Sequence, residues 1–233
     1  MAITNQEDVD ALAADFMAEN YDLLNRKDRT PLKGFYTHLG HWRQIEEDGA
    51  ECLQSDGSQW LGALPTGISG LMTKALGRSY QELLDTIGAY YYFPLAIDKS
   101  GEKGNGQFSL QVKPLHGSID QAGGLVFGLR DIGNYYVFRI NALEDNAMLF
   151  EFANNNRVER ARYDLPIARG QWYTLEVAVT DNSASCRVNG AVVFDYQAER
   201  LLHGHVGLWT KADSVTQFTR LTINDGVTIM SRN

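Results

Sequence analysis

The chain has 233 residues, 44% of them hydrophobic and 21% charged, an ordinary globular balance that excludes a disordered, fibrous or low-complexity protein. Its 29 acidic residues against 21 basic ones leave a net charge of −8, with no basic run to offset it. Nucleic acid and anionic membrane are therefore not expected as partners, and a neutral or cationic small molecule or a neutral glycan fits better.

Two cysteines, Cys52 and Cys186, are too few for a disulfide scaffold, and their spacing does not say whether they meet. No window approaches the ~18 consecutive apolar residues of a membrane span, so a soluble protein is expected. The N-terminal Met-Ala-Ile-Thr-Asn-Gln-Glu-Asp lacks the basic and apolar regions of a secretory signal. The compartment stays open between cytoplasm and export with a signal removed.

In chain order, Val9, Leu12, Ala13, Phe16, Met17, Leu23 and Leu24 fall near the i, i+3, i+4, i+7 spacing of one helix face. Residues 5–25 are expected to form an amphipathic helix, with Thr4 and Glu7 as its capping box and Pro31 as its latest end. Residues 35–60 read as short strands around the turn Glu47-Asp48-Gly49, and the Gly-rich 61–78 as loop. Ser79 and Glu82 repeat the capping box ahead of Leu83, Leu84 and Ile87, and Gly88 ends that short helix. This divides the chain into a helical extension over 1–34 and one β-sandwich domain over 35–233.

Beyond Gly88 the period changes from 3.6 to 2, and turn residues recur every ~8–12 positions, as in a sandwich. Strands are expected at 90–97, 107–112, 123–130, 135–142, 147–153, 157–163, 171–180, 184–188, 191–196, 205–211 and 215–223. In the second of these, Phe108, Leu110 and Val112 alternate with Ser109, Gln111 and Lys113. Asp131-Ile-Gly-Asn134, Glu144-Asp-Asn146, Asn154-Asn-Asn156, Asp181-Asn-Ser183 and Asn189-Gly190 supply Gly, Asn or Asp where positive φ is needed. Short turns imply antiparallel pairing, and no crossover helix is in sight for a parallel sheet.

The run from Ala122 to Asn141, Ala-Gly-Gly-Leu-Val-Phe-Gly-Leu-Arg-Asp-Ile-Gly-Asn-Tyr-Tyr-Val-Phe-Arg-Ile-Asn, resembles the central hairpin of concanavalin-A-like lectin/glucanase domains. Gly170-Gln-Trp-Tyr-Thr-Leu-Glu-Val-Ala-Val179 with Val188-Asn-Gly190, and Gly204-His-Val-Gly-Leu-Trp-Thr-Lys-Ala-Asp213 with Phe218, resemble further strands of that group. The similarity spans about residues 88–224 and, more weakly, 40–53. It is nearest to bacterial laminin-G-like and 3-keto-disaccharide-hydrolase-like domains. It implies an all-β antiparallel jelly-roll sandwich and, for function, carbohydrate binding or processing. The Glu-x-Asp-x-x-Glu strand of the superfamily's glucanases is missing, and Glu144 to Glu151 has the wrong spacing for it.

Strand alternation then sorts the side chains. With Phe127, Leu129, Phe138, Ile140, Met148, Phe150, Phe152, Tyr173, Leu175, Val177 and Val179 toward the core, the opposite face holds Arg130, Tyr135, Arg139, Asn141, Glu151, Trp172, Thr174 and Glu176. Trp209 and Lys211 extend that face. Rings that cover sugar C–H surfaces, beside groups that bond hydroxyls, make it the candidate ligand face. The plainer alternative is a solvated sheet whose Arg139 and Glu151 form a cross-strand ion pair. If Trp172 is instead a core plug, the assignment around its strand inverts.

Three functional readings follow. The first is a carbohydrate-recognition domain; the second is a glycoside-processing enzyme with Glu151 and Glu176 as acid and base; the third is a structural domain that meets a partner through its helix. No cofactor is expected. Calcium enters only through the Asp/Asn-rich turns, which turn chemistry already explains, and the pair His203 and His205 lacks an identifiable third ligand for zinc. Gly101-x-x-Gly-x-Gly106 opens a strand and not a helix, so it is a hairpin connection and no phosphate loop. Of Tyr90-Tyr91-Tyr92, at least one is expected to be buried.

Overall fold

The computed structural model describes residues 32–47, 49–58, 93–154 and 156–225, and the helices expected at 5–25 and 79–88 lie outside them. The strands are β1 (Phe35–His38), β2 (Trp42–Glu47), β3 (Ala50–Asp56), β4 (Leu95–Asp98), β5 (Gly106–His116), β6 (Ala122–Asp131) and β7 (Asn134–Asn141). Next come β8 (Asn146–Ala153), β9 (Asn156–Asp164), β10 (Tyr173–Thr180), β11 (Ser183–Val188), β12 (Ala191–Gln197), β13 (His205–Thr210) and β14 (Val215–Asp225). No helix occurs among the described residues. From β6 onward each strand falls within two residues of its expected bounds, and β5 runs four residues past its expected end at 112. Of the strand expected at 90–97, residues 95–97 fall in β4, and 90–92 lie outside the described residues.

Two seven-stranded sheets face each other. Sheet A runs β1-β4-β13-β6-β7-β8-β9 and sheet B runs β12-β11-β10-β5-β14-β3-β2, with every pairing antiparallel. The Asn/Asp turns behave as their chemistry requires: Asp145, Asn154, Asp181 and Asn189 all adopt positive φ, Asn189 followed by Gly190. Cys52 on β3 and Cys186 on β11 are free and buried, separated by three intervening strands of sheet B.

The core between the sheets takes Leu125, Phe127, Tyr136, Phe138 and Ile140 from sheet A and Phe108, Leu110, Leu175, Val177 and Phe218 from sheet B. The sheets approach closely at Gly123, where a Cβ would stand 2.5 Å from Val112 Cγ1 and 2.6 Å from Thr216 Cγ2. A second apolar cluster occupies the other side of sheet A. It includes Leu95, Val126, Leu129, Tyr135, Val137, Met148, Phe150, Phe152 and Trp209, none more than 6% exposed. Sheet A is thus buried on both faces, and its strands β6 to β8 read as nearly continuous apolar runs.

That second cluster corrects the expected phase of β8. Phe138 pairs with Leu149 and Tyr136 with Glu151, so Ala147, Leu149 and Glu151 face inward, while Met148, Phe150 and Phe152 face outward beside Arg139 and Tyr135. Alternation cannot choose a face when both sides of a strand are apolar. In β10 the expected phase holds, with Tyr173, Leu175, Val177 and Val179 in the core.

Candidate functional site

The residues singled out from sequence separate into four places. Arg139, Asn141, Tyr135, Trp209 and Lys211 lie along the outer side of sheet A. Glu151 faces the opposite side of that sheet. Trp172 and Glu176 belong to the outer face of sheet B, and Arg130 is exposed at the end of β6. The expected single face with Arg139 beside Glu151 is therefore not formed.

Glu151 sits inside a compact ionic cluster. Tyr136 Oη donates to its Oε1 at 2.7 Å, Arg160 donates to Oε2 through Nε at 2.9 Å and reaches it through Nη2 at 2.7 Å, and Arg200 lies 3.6 Å from Oε1. Burial, reinforced by the neighbouring carboxylate, drives the Tyr136 phenol well above its ordinary range. Glu176 pairs in register with Ser109 and Arg187 in sheet B. An acid–base pair built from Glu151 and Glu176 is thus split between two sheets and two faces.

Tyr135 and Trp209 are core plugs. Tyr135 stacks on Phe152 with ring centroids 4.2 Å apart, and Trp209 stacks on Phe93 at 5.5 Å. Arg139, Asn141 and Lys211 join a buried polar network that pins three loops together. Lys211 pairs with Asp120, Asn141 Nδ2 donates to Asp120 Oδ1 at 2.9 Å, and Arg139 donates to Asn146 and, at 2.7 Å, to Glu144. Burial lifts the Asp120 carboxyl above its ordinary range against the pull of Lys211 and Arg139. For Glu144 burial also opposes ionisation, but Arg139 outweighs it and the carboxyl titrates below its ordinary range. Asp213 closes the same corner by accepting from the backbone amides of Ser118, Ile119 and Asp120. Every charge here has a partner within the protein, so the network reads as structural.

The outer face of sheet B has a different character. Register places Arg43, Gln54, Gln217 and Lys113 in one row across β2, β3, β14 and β5, and Trp172 immediately precedes Tyr173, the β10 partner of Val112. The Lys113 ammonium lies 4.8 Å from the centre of the Trp172 ring, and Gln217 Nε2 donates to Gln54 Oε1 at 3.3 Å. Lys113 also pairs with Glu47. On a flat sheet Glu47 would stand about 19 Å from Lys113, three strand spacings across and four residues along, beyond the combined reach of the two side chains. The β2–β3 hairpin must therefore curl over this face, which it is free to do because β3 pairs with β14 only from Leu53 to Asp56.

The face is accordingly concave, and Gln54, Lys113 and Gln217 are only 6–7% exposed although they point out of the sandwich. Of this row the sequence reading held Trp172 alone. The outward phase of Lys113 was visible in the Ser109-Gln111-Lys113 alternation, but nothing local says that β14 and β3 lie beside β5. Among the described residues no group of three His, Cys, Asp or Glu side chains could hold a metal ion; His203 is exposed and lies 3.4 Å from Glu102.

Two opposed antiparallel seven-stranded sheets make this domain a β-sandwich. Among solved structures it is similar to the carbohydrate-binding module CBM66 from Bacillus subtilis, with a TM-score of 0.59 and 17% identity over 85% of this chain and 98% of that one. It is also similar to a protein of unknown function with a galectin-like fold from Bacillus subtilis, with a TM-score of 0.53 and 8% identity over 87% and 94% of the two chains. At these identities the likeness is one of fold. No model of a known protein family and no curated protein matches the sequence.

Proposed function

We propose that this domain is a carbohydrate-recognition module that holds a sugar on the concave outer face of sheet B. The observation that carries this reading is the row Gln54, Gln217, Lys113 and Trp172 under the curled β2–β3 hairpin. A neutral sugar suits such a row. Its C–H surface covers the indole, and it brings no charge that would disturb the Lys113–Glu47 and Arg43–Asp56 pairs. The carbohydrate-binding module among the fold relatives agrees with this choice of ligand class. The hydrolase alternative lacks support from its own carboxylates, since Glu151 is engaged by Tyr136 and Arg160 on the other sheet.

A glycan array followed by titration calorimetry tests the reading. Saturable binding to a sugar is expected, weakened at least about fivefold by Trp172→Ala or by Gln217→Ala, about 1 kcal/mol for one lost contact. Arg162→Ala, on β9 of sheet A, is expected to leave it unchanged. Silence across the array, or affinities indifferent to both concave-face variants, refutes the proposal.

A further inference from the structure

The loops before β6 and after β13 bring a lysine and an aspartate into direct contact. The Asp120 side chain is wholly buried, and that of Lys211 is 13% exposed with its ammonium on Asp120 Oδ2. Burying both charges is costly, and condensing them to a neutral amide removes both.

The surroundings hold each partner in place. Asp213 accepts from the backbone amides of Ser118, Ile119 and Asp120. Ala212, between Lys211 and Asp213, adopts φ 47°, a left-handed conformation that a residue with a side chain keeps only where its surroundings enforce it. That turn is closed by the Ser214 amide donating to the Lys211 carbonyl at 3.0 Å, and it delivers Lys211 and Asp213 to the same loop. The second carboxyl oxygen, Asp120 Oδ1, accepts from Asn141 Nδ2 at 2.9 Å. An amine at one oxygen and a hydrogen-bond donor at the other is the placement that acyl transfer needs, a nucleophile beside the carbon and a donor where negative charge develops. Burial favours the uncharged form of the Asp120 carboxyl, against the pull of Lys211 and Arg139.

From this arrangement we propose that Lys211 and Asp120 condense in the folded protein to an intramolecular isopeptide bond. A proton passes from the Lys211 ammonium to Asp120 Oδ2 within their contact. The freed amine attacks Cγ, and the oxyanion forms on Oδ1 under the Asn141 amide. As the Cγ–Oδ2 bond breaks, Oδ2 takes a second proton from the amine and leaves as water. One Nζ–Cγ bond is formed, one Cγ–Oδ2 bond is lost, and the two charges cancel, so the step needs no oxidant and no further reactant. The enforced contact supplies the effective concentration that makes such a condensation accessible. The cross-link closes a loop of about 90 residues and restricts the unfolded chain as a disulfide does.

Intact-mass measurement of the full chain, folded at neutral pH and then denatured, tests this. The parent is expected to weigh one water less than its sequence. Lys211→Arg keeps the cation but removes the nucleophile, and its mass is expected to match its own sequence. Tryptic digestion of the parent is expected to yield a branched peptide that joins the segments holding Asp120 and Lys211 and is uncut after Lys211. In a time course after cell-free synthesis, Asn141→Ala is expected to lose its water at least about tenfold more slowly than the parent. A folded parent with the full sequence mass overturns the proposal. So does a missing water that persists in Lys211→Arg, because the dehydration then lies elsewhere, or an Asn141→Ala chain that loses water as fast as the parent.

Discussion

Removing the carboxylate of Glu151 is the perturbation that best separates a structural group from a chemical one. In Glu151→Ala the wholly buried Tyr136 hydroxyl loses its acceptor, the two-point contact of Arg160 is lost, and Arg200 loses its counter-charge. An orphaned buried hydroxyl costs about 1–3 kcal/mol. The Arg160 pair, with its guanidinium side chain 34% exposed, adds about 1 kcal/mol at most after solvent screening. The sum is about 3 kcal/mol, or about 6–12 °C in Tm for a domain of this size. Glu151→Gln keeps an oxygen for Tyr136 and is expected to lose only about 1 kcal/mol. Urea unfolding followed by tryptophan fluorescence reads both variants, with an unchanged m-value as the check that only the folded state was altered. Glycan affinity below the unfolding transition is expected to match the parent. A loss under 1 kcal/mol in Glu151→Ala, or loss of sugar binding by a folded Glu151→Gln protein, refutes the structural assignment and returns Glu151 to the ligand.

Two more perturbations address the corner that ties the loops after β5, β7 and β13. Asp213→Ala leaves the amides of residues 118–120 without their acceptor; a destabilisation of about 3 kcal/mol and faster hydrogen exchange at these amides are expected, and Asp213→Asn is expected to fall between the two. Glu144 gives a pH signature. Because its folded carboxyl titrates below the ordinary value of 4.5, its contribution is present above that value and is lost as the pH falls through the folded one. The deficit of Glu144→Gln in chemical denaturation is thus expected to be full at pH 7 and to shrink below about pH 4.5; a deficit independent of pH contradicts the Arg139 pairing.

The period-2 alternation and the Asn/Asp turns are local properties of the chain, and they sufficed for the all-β class, the antiparallel hairpins and the strands from β6 onward to within two residues. In β5 and β10, where apolar and polar residues strictly alternate, they also gave the inward face. Phase was lost in β8, Ala147-Met-Leu-Phe-Glu-Phe152, because sheet A is buried on both sides and a strand with apolar residues on each face carries no signal for which is the core. Glu151 was therefore set beside Arg139, although each points to the opposite side of the layer. The candidate site was hidden for a different reason. Arg43, Gln54, Lys113, Trp172 and Gln217 come from five segments spread over 175 positions, and they meet only because β14 inserts between β5 and β3 and the β2–β3 hairpin bends over them. Side-chain alternation depends on neighbours in sequence and can be read one strand at a time, whereas strand order and sheet curvature are set by which strands pair across long loops, and these the tertiary structure alone decides.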